Sequence, residues 1–315
     1  MRIVIIGGTG HIGSYLTPRL FEAGHSILCV SRGVKPPYRK HVAWKAIAHV
    51  SMDREAEESA GTFGEKIAAL DADVVIDLTC YTPESAEQLT TKLQGRIDHF
   101  LHCGTIWVHG HSSEVPTTEE APRVPFGEYG IRKAAIEAYL LRLSRQKGFP
   151  ATVLHPGHLV GTGWNPINPQ GNFTPTVFTD LAAGKQLALP NLGMETVHHV
   201  HADDVAQAFI CAIARRSLAV GESFHVVSGA ALTLRGFAER MAAWFGHPAK
   251  LSFLSWEEWK TTVSEKDASA TWDHIAHSPN CSISKARTLL GYGPRYTSIE
   301  AVQEAVTDMR QRGVV

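Results

Sequence analysis

The sequence predicts an α/β protein with a doubly wound parallel sheet. Short runs rich in β-branched residues alternate with stretches of helical periodicity through the first half, as in strands joined by crossover helices. The runs at residues 3–6 and 74–76 are apolar at every position, so helices are expected to cover both faces of these strands. With 44% hydrophobic and 19% charged residues, the chain is typical of a folded globular protein.

The predicted elements change in character near residue 157. We predict strands at residues 3–6, 26–30, 42–46, 74–78, 100–103 and 152–155, and helices at 11–23, 63–70, 84–93 and 128–143. Glycines and prolines then punctuate a long loop. Beyond it we predict helices at 177–183, 203–214 and 234–245 and extended pieces at 195–200 and 223–227. The chain is therefore expected to form a domain at residues 1–157, to which later segments return, and a smaller substrate-binding lobe with C-terminal helices at 158–315.

The bulk properties narrow the class of protein. The formal net charge is −1, whereas dedicated nucleic-acid binders are usually basic, so no nucleic-acid partner is expected. The five cysteines are widely spaced and form no CxxC pair, which favours a reducing compartment over a disulfide framework. The chain starts directly with a strand and has no apolar stretch of membrane-spanning length. We expect a cytoplasmic protein without a membrane partner.

A glycine-rich loop follows the first strand and opens the first helix. Glycine permits a tight turn, and without side chains the backbone N–H groups can approach a pyrophosphate. The motif fits a dinucleotide-binding Rossmann domain because a strand precedes it and an amphipathic helix follows it. The cofactor-binding residues predicted here are Gly7, Gly8, Thr9, Gly10, His11, Ile12 and Gly13.

The end of the second strand favours NADP over NAD. NAD-binding proteins usually place an acid there for the ribose 2′-hydroxyl, whereas this chain has Ser31 and Arg32. A guanidinium can bind a 2′-phosphate through two hydrogen bonds. Asp53, after the third predicted strand, is a candidate partner of the adenine amino group. The sequence leaves NAD open as the alternative cofactor.

Three residues form a candidate catalytic set. Tyr129 and Lys133 lie four apart, so on a helix they share one face. A tyrosine has an unperturbed pKa near 10, and a neighbouring ammonium is expected to lower that pKa. Tyr129 would then exchange a proton with an alcohol or carbonyl oxygen, and Lys133 would also hold the cofactor ribose. Thr105, just after the fifth predicted strand, is positioned to hydrogen-bond the substrate oxygen.

These motifs together resemble the extended branch of the short-chain dehydrogenase/reductase superfamily, in its NAD-dependent epimerase/dehydratase group. The segment at residues 103–110 resembles the family's serine-serine-x-x-valine-tyrosine-glycine motif, with Thr105 at the catalytic hydroxyl and His109 where a tyrosine is usual. The segments at 155–157, 200–206 and 284–292 are similar to the family's later motifs. The resemblance implies hydride transfer at a secondary alcohol or ketone of a sugar, a sugar nucleotide or a similar small polar substrate.

The resemblance also suggests further binding residues. His155 and Pro156 match the family segment before the substrate loop and are assigned to the cofactor site. Asn172 matches the family's substrate-loop asparagine. Trp107 and Trp164 fall in the two predicted substrate loops, where an aromatic face would suit a sugar ring. We expect His109 and His199 to shape the polarity of the substrate pocket.

Two departures from the family pattern limit the reaction. Dehydratases of this group usually carry an Asp-Glu pair after the threonine, but Ile106 and Trp107 stand here, so 4,6-dehydration is not expected. Nucleotide-sugar epimerases usually place a diphosphate-binding arginine where this chain has Val197. The substrate is therefore expected to be sugar-like without being an ordinary nucleotide sugar. The sequence does not separate net reduction from epimerisation.

Three further expectations concern partners and metals. Some family members are chloroplast proteins that bind stem-loop RNA, so a Rossmann scaffold with vestigial catalysis is the alternative class. The chain has 17 histidines, but the hydride cofactor already supplies the chemistry, and no metal is expected. The helices at 84–93 and 128–143 carry apolar residues on more than one face, which predicts a homodimer.

Overall fold

A computed structural model describes residues 1–315 and shows a seven-stranded parallel sheet as the centre of the fold. The strands in chain order are β1 (Arg2–Ile6), β2 (Ser26–Ser31), β3 (Ala48–Ser51), β4 (Val74–Asp77), β5 (His99–Cys103), β6 (Ala151–Pro156), β7 (His158–Val160), β8 (Gln186–Pro190), β9 (Thr196–Val197), β10 (His199–His201), β11 (Ser223–Val226), β12 (Leu232–Thr233) and β13 (Lys250–Leu254). The central sheet has the order β11-β6-β5-β4-β1-β2-β3. The strand order reverses between β1 and β4, where α/β sheets open a ligand-binding crevice at their carboxyl ends.

Helices cover both faces of this sheet, which confirms the predicted fold class. They are α1 (Gly13–Glu22), α2 (Arg54–Ser59), α3 (Phe63–Ala68), α4 (Pro83–Leu93), α5 (Gly127–Lys147), α6 (Thr176–Ala182), α7 (Ala202–Ala214), α8 (Arg216–Ala219), α9 (Leu234–Trp244), α10 (Trp256–Trp259), α11 (Glu265–His277) and α12 (Ser298–Gln311). One apolar cluster joins the sheet to α1 and α7, and another joins its opposite face to α3, α4 and α5. Burial on both faces explains why β1 and β4 are apolar throughout.

The second half of the chain contributes to both parts of the molecule. Strand β11 pairs in parallel with β6 and extends the central sheet, while α7 packs on α1. A third apolar cluster, built around α6, α9, α12 and β8, forms the core of the C-terminal lobe. Helix α12 of this lobe contacts β7 and β10, the paired strands that follow β6 and precede α7.

The predicted strand at residues 42–46 is wrong. Val42–Lys45 forms a 3-10 helix, capped by the His41 ring, which accepts a hydrogen bond from the Ala43 N–H over 3.2 Å. Val42 is 72% exposed, and only Ala43 in this turn is buried. The third strand is instead β3, an edge strand that pairs only with β2 and is mostly exposed. Its pattern is too polar to separate it from a loop by sequence alone.

No helix in the structure is long and apolar enough to cross a membrane. All five cysteines carry free thiols, and four of them are buried. Burial raises the pKa of the Cys29 thiol to about 12, which leaves this buried group as an unreactive part of the core.

Candidate active site

The glycine loop between β1 and α1 has a backbone path that side chains would block. Gly7 has φ of +82°, a conformation that favours glycine. A Cβ on Gly13 would lie 2.3 Å from the carbonyl oxygen of Gly8, so these two backbone segments can touch only because Gly13 has no side chain. The Gly7 N–H donates to the Val30 carbonyl over 2.8 Å and ties the loop to β2.

The same loop offers unused hydrogen-bond donors. The N–H groups of His11, Ile12 and Gly13 have no acceptor within the chain, whereas the Ser14 N–H already donates to the Gly10 carbonyl over 2.8 Å. Above Gly10, a Cβ would meet only the Gly7 carbonyl oxygen, at 3.1 Å. Free amides at a helix N-terminus, beside bare backbone, form a suitable cradle for an anionic pyrophosphate. The loop thus fits the dinucleotide that the sequence predicts.

An aromatic group covers one side of this cradle. The Trp164 ring stacks on His11 with centroids 4.7 Å apart, and Tyr38 lies 5.5 Å from both rings. Helix α12 holds the Trp164 loop, because Gly163 N–H donates to Asp308 over 3.0 Å and Thr162 donates to Glu304 over 3.1 Å. The structure therefore places Trp164, predicted to contact substrate, against the predicted cofactor loop.

The end of β2 is basic and contains no acid. Arg32 is exposed and forms no ion pair, and no Asp or Glu occurs between Ser31 and Lys40. The Ser31 hydroxyl lies 2.7 Å from Nε2 of His49 on β3. Asp53 caps α2 by accepting hydrogen bonds from the Glu55 and Ala56 N–H groups, so its carboxylate already has local partners.

Helix α5 places Tyr129 and Lys133 at the carboxyl ends of the central strands. Lys133 is 2% exposed, and its Nζ donates to the carbonyl of Cys80 over 2.8 Å and to that of Cys103 over 2.7 Å. These carbonyls follow β4 and terminate β5, so the ammonium bridges two neighbouring strand ends. Its Nζ lies 5.9 Å from the centre of the Tyr129 ring.

The expectation that Lys133 lowers the pKa of Tyr129 is wrong for the chain by itself. Burial raises the pKa of the phenol, and the Thr105 hydroxyl nearby opposes that rise without overcoming it. Burial also lowers the pKa of Lys133. The Lys133 ammonium donates its hydrogen bonds to two carbonyls and not to the phenol. Lowering the pKa of the phenol therefore requires a further positive charge beside the ring.

Thr105 follows β5 and is held through its backbone. Its side chain caps the 3-10 helix Ile106–His109 and accepts a hydrogen bond from the Trp107 N–H over 3.3 Å. Its own N–H donates to Nδ1 of His155 over 3.0 Å. A Cβ on Gly104 would lie 2.4 Å from that nitrogen, so the bare backbone at Gly104 lets the imidazole approach.

The predicted cofactor residue His155 lies behind the site. Its ring is fully buried, and Nε2 is 3.0 Å from Oε1 of Glu137, which also pairs with Arg123 over 2.7 Å. Although burial raises the pKa of Glu137, His155 and Arg123 outweigh it and hold that pKa far below its ordinary value. Because Nδ1 accepts from Thr105, the ring proton sits on Nε2 beside the carboxylate. This leaves the His155 side chain as a support for Thr105, and only the main chain at His155 and Pro156 to meet a cofactor.

Trp107 connects Tyr129 to a group of histidines. Its ring lies edge-on to Tyr129 at 6.0 Å and stacks on His277 at 4.1 Å. It also approaches His274 at 5.4 Å and His158 at 6.2 Å. We call Trp107, His158, His199, His274 and His277 the imidazole wall. Sequence reasoning named Trp107 and His199 but missed His274 and His277, which come from α11 and whose only signal was their spacing of three.

Two predicted substrate residues are engaged elsewhere. His109 lies 2.8 Å from His225 through the two Nε2 atoms and 3.3 Å from the Pro122 carbonyl, and it is buried. Asn172 is 1% exposed, and its amide donates to Thr271 over 3.2 Å and accepts from the Thr174 N–H over 3.1 Å. Both side chains stabilise the walls of the cleft, while Thr105, Trp107 and Tyr129 meet inside it.

The histidine-rich composition does not produce a metal centre. The structure contains no group of three or more His, Cys, Asp or Glu side chains arranged to hold a metal ion. His198 and His201 instead make structural contacts: His198 accepts from the Cys281 N–H over 3.1 Å, and His201 lies 3.1 Å from Glu304.

Comparisons with known proteins point to one family. Residues 3–226 match the model of the NAD dependent epimerase/dehydratase family. The chain is 24% identical over 315 residues to the chloroplast stem-loop binding protein of 41 kDa b of Arabidopsis thaliana, covering 96% of this chain and 78% of that one. It is 25% identical over 248 residues to the 2'-dehydrokanamycin reductase of Streptomyces kanamyceticus, covering 79% and 68%. The structure of UDP-glucuronic acid 4-epimerase from Bacillus cereus, in complex with UDP-glucuronic acid and NAD, matches with a TM-score of 0.74, 17% identity, and coverage of 99% and 100%.

Proposed function

Because the chain belongs to the NAD-dependent epimerase/dehydratase family, we propose that it transfers a hydride reversibly between a nicotinamide cofactor and a secondary alcohol or ketone. The observation that carries this proposal is the meeting of Tyr129, Lys133 and Thr105 at the strand ends. They lie at the same edge of the sheet as the bare amides of the glycine loop. A dinucleotide would supply the hydride acceptor and, when oxidised, a positive charge next to the phenol.

Each residue of the set has one role in this proposal. Tyr129 takes the proton of the substrate hydroxyl as hydride leaves, and returns it to the carbonyl oxygen in reverse. Thr105 orients the same oxygen, and its position depends on the hydrogen bond from its N–H to His155. Lys133 holds the ribose and supplies positive charge, although its present partners are two carbonyls. The raised pKa of Tyr129 keeps the phenol protonated, so it serves first as an acid for carbonyl reduction.

NADP is the proposed cofactor. Support comes from the exposed, unpaired Arg32, from the absence of an acid between Ser31 and Lys40, and from Lys35, Arg39 and Lys40 nearby. Several structural neighbours contain NAD, and NAD stays the alternative for this chain. The loop residues Gly7–Gly13 would hold the pyrophosphate in either case.

The distinction between reductase and epimerase depends on whether the cofactor stays bound. An epimerase must return the hydride to the same carbon and gains from keeping its cofactor, whereas a reductase exchanges it in every cycle. The test is mass spectrometry of small molecules released on denaturing the purified protein, followed by transfer of deuterium from labelled NADPH. Release of stoichiometric dinucleotide supports epimerase. An empty protein that incorporates solvent-stable deuterium into a ketone supports reductase, and a protein that binds neither NADP nor NAD contradicts the proposal.

The alternative function is a Rossmann scaffold that binds RNA. One observation favours it, the similarity to a protein named for stem-loop binding. The presence of Tyr129, Lys133 and Thr105 together, and a net charge of −1, favour the enzyme. A salt-dependent mobility shift with a stem-loop RNA, in a protein that does not quench cofactor fluorescence, would reverse this ranking.

We also propose a homodimer through the outer faces of α4 and α5. These helices pack against each other, and α5 exposes Ile131 at 52%, followed on the same side by Ala135 and Ala138. Small and apolar side chains at this spacing allow two helices to approach closely. A monomeric mass by light scattering would contradict the dimer.

A further inference from the structure

The imidazole wall faces the same cleft as the proposed acid Tyr129. Trp107 stands between the phenol and the histidines, with its ring 6.0 Å from Tyr129 and 4.1 Å from His277. His158 continues the wall, 5.0 Å from His274 and 6.0 Å from His199 by ring centroids. Trp107, His277 and His158 are therefore the members of the wall that lie nearest to a substrate bound at Tyr129.

Several ring nitrogens of this wall have no hydrogen-bond partner. Both nitrogens of His158, both nitrogens of His199 and Nε2 of His277 are buried without one. His199 is 0% exposed and lies between His158 and the Phe237 ring, whose centroid is 5.2 Å away. Buried polar groups are nearly always hydrogen-bonded in folded proteins, so several unpartnered ring nitrogens close together point to a bound group that supplies the partners.

The wall is uncharged. Burial lowers the pKa of His274 and His277 to about 4 and that of His199 to about 3, so all three are neutral at pH 7. After burial, the groups that lower the pKa of His158 are the neighbouring histidines, with His274 first. The wall contains no lysine or arginine, so a diphosphate placed against it would lose its water without gaining an ion pair from these residues.

The chemistry of a neutral imidazole matches that of a hydroxyl group. Each ring presents one N–H donor and one acceptor nitrogen, and each hydroxyl likewise donates and accepts. The indole of Trp107 adds a flat apolar surface suited to the C–H face of a sugar ring. The amide of Asn172, which could otherwise bind a polar headgroup, is bonded to Thr271 of α11, the helix that carries His274 and His277.

We propose that the substrate presents an uncharged, hydroxyl-rich face to the imidazole wall, as a neutral sugar, glycoside or cyclitol does and a nucleoside diphosphate sugar does not. This inference rests on the proposed hydride transfer at Tyr129, because it concerns the substrate of that same site. The wall then determines specificity: substrate hydroxyls bond the unpartnered nitrogens of His158 and His277, and phosphates bind poorly because the wall contains no lysine or arginine.

The experiment compares matched neutral and charged compounds on the NADP-loaded protein. Glucose, galactose, their methyl glycosides and myo-inositol are assayed against UDP-glucose, UDP-galactose and inositol phosphate by NADPH formation, and UDP binding is measured by calorimetry. We expect kcat/KM for the best neutral compound to exceed that of its charged counterpart by about tenfold or more, and UDP to show no measurable binding. UDP binding that is measurable, or preferred turnover of a nucleotide sugar, overturns the inference.

Two variants make the binding measurement decisive even if no compound in the set is turned over. His274→Arg places a guanidinium in the wall and is expected to create UDP binding, by about tenfold or more over the unmodified chain. His274→Gln keeps a neutral donor and acceptor and is expected to create none. His25→Arg adds the same charge at the start of β2 as the matched control. UDP affinity unaffected by His274→Arg in a protein that folds and binds NADP contradicts the inference, because the missing cation would not be what excludes phosphates.

Failure of the proposed function gives a different result. If the chain binds no dinucleotide and transfers no hydride to any of these compounds, the proposed function itself is contradicted. If the chain binds NADP and reduces or oxidises nucleotide sugars, the proposed hydride transfer is supported and only the inference of a neutral substrate is contradicted.

Discussion

The proposed cofactor side of the cleft is formed by backbone, whereas the proposed substrate side is formed by side chains. The glycine loop is shaped by its backbone: Gly13 touches Gly8 because Gly13 has no side chain, and the amides of His11, Ile12 and Gly13 stay free. The imidazole wall is shaped by side chains from distant segments, with Trp107, His158 and His274 meeting from three parts of the chain. A backbone cradle suits any dinucleotide, whereas the wall can specify one class of substrate.

The largest expected effect is the loss of NADP binding when the glycine loop is altered. Gly13→Ala adds a Cβ 2.3 Å from the Gly8 carbonyl oxygen, so the loop must move and its free amides lose their direction. Each hydrogen bond to a charged group is worth about 1.5–3 kcal/mol, so NADP affinity should fall by about a hundredfold or more. Calorimetric titration measures the NADP affinity. The control Gly229→Ala, whose Cβ would meet nothing within 4 Å, should bind normally, and normal binding by Gly13→Ala would count against the cradle.

The next largest effect separates chemistry from binding. Tyr129→Phe removes the proposed proton donor and should lower kcat by about 10²–10⁴-fold while NADP affinity stays within about threefold. Steady-state kinetics and a cofactor titration measure the two quantities. Tyr139→Phe makes the same change farther along α5, where the hydroxyl bonds Thr90 over 2.9 Å, and should leave kcat unchanged. Full turnover by Tyr129→Phe would remove the catalytic assignment.

Acid should lower the stability of the folded chain through its buried histidines. Burial lowers the pKa of His198, His274 and His277 to about 4, whereas in the unfolded chain each takes a proton near pH 6.5. Protons therefore favour the unfolded state, so stability is complete above pH 6.5 and falls down to about pH 4. Each histidine contributes up to about 1.4 kcal/mol per pH unit in that window.

Thermal unfolding as a function of pH measures this loss. We expect Tm to fall steadily below pH 6.5, and His274→Gln to show a shallower fall because one proton fewer is taken up on unfolding. The unsubstituted chain, measured at the same pH values, gives the reference slope. A Tm that is the same at pH 7 and pH 5 would contradict a neutral buried wall.

The smallest effect sharpens the choice of cofactor. Arg32→Ala should raise the KM for NADP by about tenfold and leave the KM for NAD within about twofold, because only the 2′-phosphate loses its partner. The comparison is made with NADP and NAD on the same preparation. Lys147→Ala removes an exposed cation at the far end of α5 and should change both values little. An equal rise in KM for NADP and for NAD would show that Arg32 does not bind the 2′-phosphate.

The sequence predicted what depends on local pattern. The seven glycine-loop positions, the helix carrying Tyr129 and Lys133, and the strand before Thr105 follow from spacing and periodicity within about ten residues. The wall could not be predicted, because His274 and His277 reach Trp107 only through the tertiary placement of α11. The support of Thr105 by His155 and Glu137 was missed for the same reason. The strand at residues 42–46 failed because an exposed edge strand and a capped 3-10 turn have similar patterns.

A crystal structure of the chain with NADP bound tests the central claim most directly. The account predicts the pyrophosphate on the free amides of His11, Ile12 and Gly13, and the Tyr129 oxygen within hydrogen-bond reach of the substrate side of the nicotinamide. A dinucleotide bound away from the glycine loop, or a Tyr129 oxygen turned to bulk solvent and remote from the nicotinamide, would contradict it.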